Sequence, residues 1–143
     1  MACFVGIVRD INEGASVGGM TLEHYPGMTE RSIQAMQRRY HVDVEQAARV
    51  EATSAALIDQ VAQSWQLADD RYRQLLAWAA RLHEVGLDIA HARYHHHGGY
   101  LLANSDLPGF VRLEQRLLAA LVTLHRRKLD EPFVDELPAE WRI

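Results

Sequence analysis

The chain has 143 residues, of which 48% are hydrophobic, and this length suits one domain with its own core. Its formal net charge of −4 gives no general attraction to nucleic acid or an anionic membrane, so a polyanion would need a local basic patch. The single Cys3 excludes an internal disulfide and a cysteine-based zinc site, which favours a cytoplasmic protein. With no apolar run near the ~20 residues of a membrane span, we expect neither membrane nor nucleic acid as a partner.

The first 28 residues differ in composition from the rest of the chain. They contain a short apolar, strand-like start, a Gly/Ser-rich stretch and a Tyr-Pro-Gly turn signal. We interpret residues 1–28 as a linker or a segment foreign to the domain. Residues 29–143 are predicted to form a helical domain.

Two helices are predicted in the first half of that domain. Thr29 is expected to cap a short helix with Ile33, Met36 and Tyr40 on one face. Asp43, followed three residues later by Gln46, resembles a capping box that starts a second helix. The apolar stripe of this second helix comprises Ala47, Val50, Ser54, Leu57, Ile58, Val61 and Trp65.

Three further helices follow. The third is predicted from about Asp70, with Gly86 ending it. Its stripe comprises Tyr72, Leu75, Leu76, Ala79, Leu82 and His83. The fourth is predicted over residues 95–104, and "SDLPG" then forms a turn. The fifth is predicted from about Val111 to Lys128, with a buried stripe of Leu117, Leu118, Leu121, Leu124 and His125. The pattern indicates an all-α domain.

The C-terminal stretch "EPFVDELPAEWRI" carries apolar residues that no predicted helix covers. These are Phe133, Leu137 and Trp141. We therefore expect the domain to be truncated and to continue beyond Ile143 in a parent protein.

Three stretches carry a family resemblance: "RYHVDVEQAARV", "WAARLHEVGLDIAHARYHHHGGYLLANSDLPGF" and "LVTLHRRKL". In this order and spacing they resemble the C-terminal helical domain of the exopolyphosphatase and guanosine pentaphosphate phosphatase family, over about residues 29–129. The resemblance implies an HD-domain-like bundle of about five to six helices. It also implies that two N-terminal actin-like domains of the parent carry the phosphate-binding loops, the catalytic carboxylate and the magnesium.

The same resemblance frames the question of a metal site. HD phosphohydrolases hold metal with a helix-borne His, a later His-Asp pair and a distal Asp. Here Gln46 stands in place of the first His, and His83 and Glu84 stand in place of the pair. An amide is a poor substitute for imidazole, so we predict no metal and no cofactor in this chain, with His83 and Glu84 as residual candidates. Gln46 also has a structural interpretation, a hydrogen bond back to the helix cap.

The other histidines are interpreted mainly as packing and loop residues. His91 and His95 are four residues apart, but a continuous helix there is not expected after Gly86. Gly98 and Gly99 are predicted to allow close approach of a neighbouring helix.

Basic residues at two helix ends form the candidate polyphosphate site. They are Arg38, Arg39, His125, Arg126, Arg127 and Lys128. The structural alternative is that these cations compensate the dipoles of their own helices, and both interpretations can hold together.

The resulting expectation is an accessory domain without catalytic residues. It would support assembly of an exopolyphosphatase-like enzyme, allow a homodimer, and bind polyphosphate or a guanosine polyphosphate. The alternative is an autonomous metal-dependent HD phosphohydrolase acting on a nucleotide, against which Gln46 and Glu84 argue.

Overall fold

The computed structural model describes residues 11–12, 15–16 and 26–126, with side chains from residue 27 onward. Two antiparallel strands of two residues each precede five helices in these residues. The elements are β1 (Ile11–Asn12), β2 (Ala15–Ser16), α1 (Pro26–Arg39), α2 (Val44–Val61), α3 (Asp70–Leu82), α4 (Tyr94–Asn104) and α5 (Arg112–Leu124). The predicted all-α class is thereby confirmed. No helix in the described part of the chain is long and apolar enough to span a membrane.

The start of α1 corrects one prediction. Thr29 does not cap the helix, because α1 begins at Pro26 and Thr29 lies inside it, fully buried. Its hydroxyl donates to the carbonyl of Gly109 at 3.1 Å, and the Ser32 hydroxyl donates to the carbonyl of Pro108 at 2.6 Å. These bonds attach α1 to the α4–α5 turn. Ile33 lies in the core, as predicted.

Helix α2 begins as predicted but buries less of its stripe than expected. The Asp43 side chain accepts hydrogen bonds from the backbone N–H groups of Glu45 and Gln46, which is an ordinary N-cap. Of the predicted stripe, Ala47 and Ile58 are buried, whereas Leu57 and Trp65 are 58% and 61% exposed. The predicted apolar stripe is therefore only partly covered, because α3 is the one substantial neighbour of α2 among the described residues, and Trp65 lies beyond the end of α2 at Val61.

Helices α2 and α3 run antiparallel. The last turns of α2 and the first turns of α3 lie together, where Asp59 forms an ion pair with Arg73. Asp69 caps α3 by accepting a hydrogen bond from the N–H of Arg71. The first turn of α2 consequently lies at the same end of the pair as the C-terminus of α3.

The core forms where α3 packs against α5, with α1 and the turn after α4 closing it. Its members are Ile33, Met36, Leu75, Trp78, Ala79, Leu82, Val85, Leu102, Leu107, Leu117, Leu118, Ala119 and Val122. Trp78 meets Phe110 edge to face, with ring centroids 4.9 Å apart. The Arg81 guanidinium pairs with Glu30 at 2.7 Å, and the Gln37 side chain donates to the Arg81 carbonyl, so α1 is held on α3 by polar contacts as well.

Helix α4 packs closely on α5, as the glycine pair predicted. A Cβ on Gly99 would collide with the Thr123 side chain, and one on Gly98 would lie 3.0 Å from Val122 Cγ1. Gly86 does not directly end α3, which ends at Leu82, with His83 as its C-cap. Gly86 instead lies in the following turns, against the backbone of Tyr94 and Gly98.

The end of α5 differs from its prediction. The helix ends at Leu124 rather than Lys128, and His125 is its C-cap. Leu117 and Leu118 are buried as expected, but Leu121 is 38% exposed and His125 is also exposed. The predictions for Arg127, Lys128 and the apolar residues near the C-terminus lie outside the described residues.

Candidate functional site

Aromatic and imidazole rings meet where α3 ends, α4 begins and α5 ends. We call this set the histidine-rich end: His83, Tyr94, His95, His125 and Arg126. The rings of His83 and His125 lie perpendicular, with centroids 5.5 Å apart, and the Tyr94 ring lies 5.6 Å from His125. His95 is buried, and its ring centroid lies 5.9 Å from that of Tyr94 and 6.1 Å from that of His125.

Two of these imidazoles are held by backbone carbonyls in the same way. His83 Nδ1 lies 2.6 Å from the Ala80 carbonyl oxygen, and His125 Nδ1 lies 2.7 Å from that of Val122. A carbonyl oxygen can only accept, so each Nδ1 carries the proton and donates. In the neutral rings Nε2 is then an acceptor, and the Tyr94 hydroxyl lies 3.3 Å from Nε2 of His125.

The surroundings of His125 lower the pKa of its imidazole ring. One side of the ring packs in the histidine-rich end, and this partial burial lowers the pKa of His125 below the ordinary 6.5. The charges of His83 and Arg126 lower this pKa further, whereas the bond to the Val122 carbonyl and the Glu84 carboxylate act in the opposite direction. These surroundings therefore favour the neutral form of His125 more than those of a free imidazole do.

Arg126 supplies the permanent positive charge of this end. Its guanidinium carbon lies 5.3 Å from the centroid of the Tyr94 ring, a cation–π geometry, and the residue is exposed. The ring restricts the guanidinium while its N–H donors remain accessible to a ligand.

The chain just after the basic end of α1 contacts the connection between α3 and α4. Just after α1, His41 Nδ1 lies 2.9 Å from the Asp88 carboxylate, in the connection between α3 and α4. Arg38 and Arg39 are exposed in the last turn of α1. The ends of α1 and α5 thus both contact the α3–α4 connection, although no direct contact joins Arg38 or Arg39 to Arg126 among the described residues.

The residual metal candidates do not form a metal site in the described residues. His83 Nε2 lies 3.8 Å from the Glu84 carboxylate, and no group of three or more His, Cys, Asp or Glu side chains in this part of the chain is arranged to hold an ion. Gln46 lies at the corresponding end of α2, but its amide oxygen accepts two hydrogen bonds from Arg49, at 2.7 and 3.0 Å. In the predicted capping box this oxygen would accept from the backbone N–H of Asp43, and here it bonds to Arg49 instead.

Two of the remaining histidines touch the rim of the histidine-rich end: the His91 ring lies 6.4 Å from that of Tyr94, and the His96 ring lies 4.4 Å from that of His95. His91 lies before α4 and is exposed, His96 is exposed on α4, and His97 is half-buried. Arg93, between His91 and His95, has a left-handed backbone with φ of 57°, which interrupts any continuous helix between them.

Sequence reasoning missed two residues of this region, Tyr94 and His41. Tyr94 directly precedes the three consecutive histidines, and an aromatic residue at this position could have predicted a ring contact with them. His41 gave none, because its partner Asp88 is 47 residues away in the chain.

Comparison with known proteins agrees with this architecture. The family described as Ppx/GppA phosphatase, domain III, matches residues 28–140. A guanosine-5'-triphosphate,3'-diphosphate pyrophosphatase of Pseudoalteromonas translucida (strain TAC 125) is 34% identical over 129 residues, which make up 90% of this chain and 26% of that protein.

The fold and the match define a helical domain of a phosphatase family whose proteins extend beyond it. The chain belongs to the Ppx/GppA phosphatase family, and it corresponds to domain III of that family. It spans about a quarter of the length of the curated relative that it matches.

Proposed function

We propose that this chain is a non-catalytic accessory domain of a Ppx/GppA-type phosphatase, supporting assembly and binding part of a polyphosphate or guanosine pentaphosphate substrate. The family assignment supports the first part. The name of the relative, a guanosine-5'-triphosphate,3'-diphosphate pyrophosphatase, supports the substrate class, because that nucleotide and polyphosphate both contain phosphates joined by phosphoanhydride bonds. Hydrolysis is assigned to the N-terminal domains of the parent, together with magnesium.

One observation carries the binding proposal: an exposed guanidinium fixed over an aromatic ring beside a helix end. Arg126 lies over Tyr94 next to His125, and Arg127 and Lys128 follow in the chain. A guanidinium can donate two parallel hydrogen bonds to phosphate oxygens, and its position over a ring reduces the entropy lost on binding. Local cations of this kind can bind a polyanion despite the overall charge of −4.

The direct test is a titration of the chain with long-chain polyphosphate at low ionic strength, followed by calorimetry. We expect weak binding that declines as salt rises. The double substitution Arg126→Ser with Arg127→Ser should weaken binding about tenfold, because exposed ion pairs contribute up to about 1 kcal/mol each.

The matched control is Arg112→Ser combined with Arg116→Ser. Both residues are exposed arginines of α5, in its first turns rather than at its end, so the change in net charge is the same. If both pairs weakened binding equally, attraction would be non-specific. An absence of binding at low salt would leave assembly as the better function.

A second test concerns catalysis. We expect the chain alone to release no phosphate from polyphosphate, guanosine pentaphosphate or nucleotides in the presence of magnesium, manganese or zinc. Turnover that His83→Ala abolished would contradict the non-catalytic proposal and favour an HD phosphohydrolase. The control is His41→Ala, which removes an exposed imidazole that is paired with Asp88.

A further inference from the structure

A second surface lies away from the histidine-rich end, between α2 and α5 with α3 as its floor. It is an open groove of about 670 Å³, which we call the apolar groove. Leu57 and Trp65 form its α2 side, Leu76 its floor, and Leu121 and Leu124 its α5 side.

The chemistry of the apolar groove excludes a phosphate chain as its ligand. Every residue that lines it in the described structure is uncharged, and most are leucine, isoleucine, valine or aromatic. Leu57, Trp65 and Leu121 are nevertheless 58%, 61% and 38% exposed. A contiguous apolar surface of this kind is typical of a docking site for an apolar segment.

Residues 127–143, which we call the C-terminal segment, follow α5 in the chain. Leu124 is the last residue of α5 and lines the groove, so the segment begins within three residues of it. Seventeen residues reach about 25 Å when helical, against about 20 Å for the 13 residues of α5. The segment is therefore long enough to return along the full length of α5.

The sequence of the segment complements the groove. Phe133, Leu137 and Trp141 recur every four residues, and half of the six positions between them are acidic. Pro138 cannot lie inside a continuous helix but suits the first position of a new helical turn. The family match extends to residue 140, so residues 127–140 of the segment belong to the matched domain.

We propose that residues 127–143 fold back along α5 and bury Phe133, Leu137 and Trp141 in the apolar groove. The segment then supplies the second neighbour that α2 otherwise lacks, and it covers Leu57 and Trp65. This inference does not depend on phosphate binding at the histidine-rich end.

The test compares two triple variants of the full chain. The apolar variant carries Phe133→Ser, Leu137→Ser and Trp141→Ser, and the control variant carries Asp130→Ser, Asp135→Ser and Glu140→Ser. An anilinonaphthalene sulfonate dye reports exposed apolar surface, and hydrogen exchange reports the protection of α2 and α5. We expect the apolar variant to bind severalfold more dye and to lose protection along the groove, while the control variant matches the wild type in both.

A substitution in the groove tests the same contact without changing the sequence of the C-terminal segment. Leu57→Glu should increase exchange along α5 in the wild-type background, because it prevents docking of the segment. It should have little further effect in the apolar variant, since substitutions acting through one contact are not additive. Leu57 is largely exposed in the described structure, so its substitution leaves the core intact.

Two outcomes would overturn the proposal. If the apolar variant matched the wild type in dye binding and exchange, the segment would not occupy the groove. If sedimentation showed a dimer that Leu57→Glu dissociates and the apolar variant retains, a second copy of the chain would be the occupant instead.

Discussion

Leucines lie on both sides of α5, but the two sides are packed differently. Toward α4, Gly98 and Gly99 let the helices approach closely. Toward α2, Leu121 faces the apolar groove and is 38% exposed, although Leu118, one turn earlier, is fully buried. Since both residues are leucines, their hydrophobicity cannot explain the difference in burial. It depends on whether another part of the chain packs against each position.

This difference divides the domain into a closed part and an open part. The closed part, with α3, α4 and α5, contains most of the buried core and should supply most of the free energy of unfolding. The open part, with α2 and the apolar groove, contributes less in the described residues and is available for docking.

The largest expected effect separates the two leucines of α5. Leu118→Ala removes a fully buried side chain and should reduce the free energy of unfolding by about 2–5 kcal/mol. Leu121→Ala, the matched control, should cost less than about 1 kcal/mol in the apolar variant, where solvent reaches Leu121. Chemical denaturation of both substitutions in that variant measures the difference, and equal costs there would contradict the division of α5 into a closed and an open side.

Chemical denaturation can also compare the cost of Leu121→Ala in the wild-type chain with its cost in the apolar variant. A larger cost in the wild-type background than in that variant is expected if the segment covers Leu121. Leu118→Ala should cost the same in both backgrounds, because distant contacts are additive.

A second prediction concerns close approach in the closed part. Gly86→Ala should destabilise the domain by about 1–3 kcal/mol, because its Cβ would collide with the backbone of Tyr94 and Gly98, which cannot rotate away. Gly27→Ala, in α1, is the control, because its Cβ would meet nothing within 4 Å. Thermal unfolding should show a loss for Gly86→Ala alone, and a stable Gly86→Ala variant would mean that the α3–α4 connection is not tightly packed.

Local patterns in the sequence predicted the helices well, because capping and apolar spacing act within a few residues. Asp43, the start of α3 near Asp70 and the glycine pair all followed from such patterns. Thr29 did not, since the carbonyl that accepts its hydroxyl belongs to Gly109, 80 residues away. Leu57 shows the other limit: periodicity identifies an apolar face but not whether another helix covers it.

The histidine-rich end was predictable in composition but not in geometry. The cluster of histidines in the sequence identified the region, and α5 was expected to contribute His125. The perpendicular contact of His83 with His125 depends on how three helix ends converge, and no spacing within one helix encodes it. Arg126 was predicted as a phosphate ligand, and its position over Tyr94 emerged only from the fold.

A smaller effect tests the attachment of α1 to the closed part. Thr29→Val keeps the shape of the side chain but removes the donor to the Gly109 carbonyl, which should cost about 1 kcal/mol. Thr53→Val is the control, because the exposed Thr53 hydroxyl donates only to the Arg49 carbonyl in its own helix. Denaturant midpoints should fall for Thr29→Val only; equal midpoints would show that the α1 contact adds no net stability.

The smallest expected effect is the pH dependence contributed by His125. Its pKa in the folded chain lies below the ordinary 6.5, so the unfolded chain binds more protons between these two values. Stability contributed by the neutral ring is therefore complete above about pH 6.5 and is lost as the pH falls toward the folded pKa. His125→Asn should flatten the stability profile below pH 6.5, and a profile that this substitution leaves unchanged would contradict the effect.

Titration of the His125 ring by NMR connects this effect to the proposed anion site. Without ligand, the apparent pKa should lie below 6.5, because partial burial and the charges of His83 and Arg126 disfavour the imidazolium. Bound polyphosphate places negative charge beside the ring and should raise that pKa, so binding should strengthen as the pH falls. The Arg126→Ser and Arg127→Ser double variant should reduce this upward shift. A pKa of His125 that polyphosphate leaves unchanged would place the anion elsewhere and confine the histidine-rich end to a structural role.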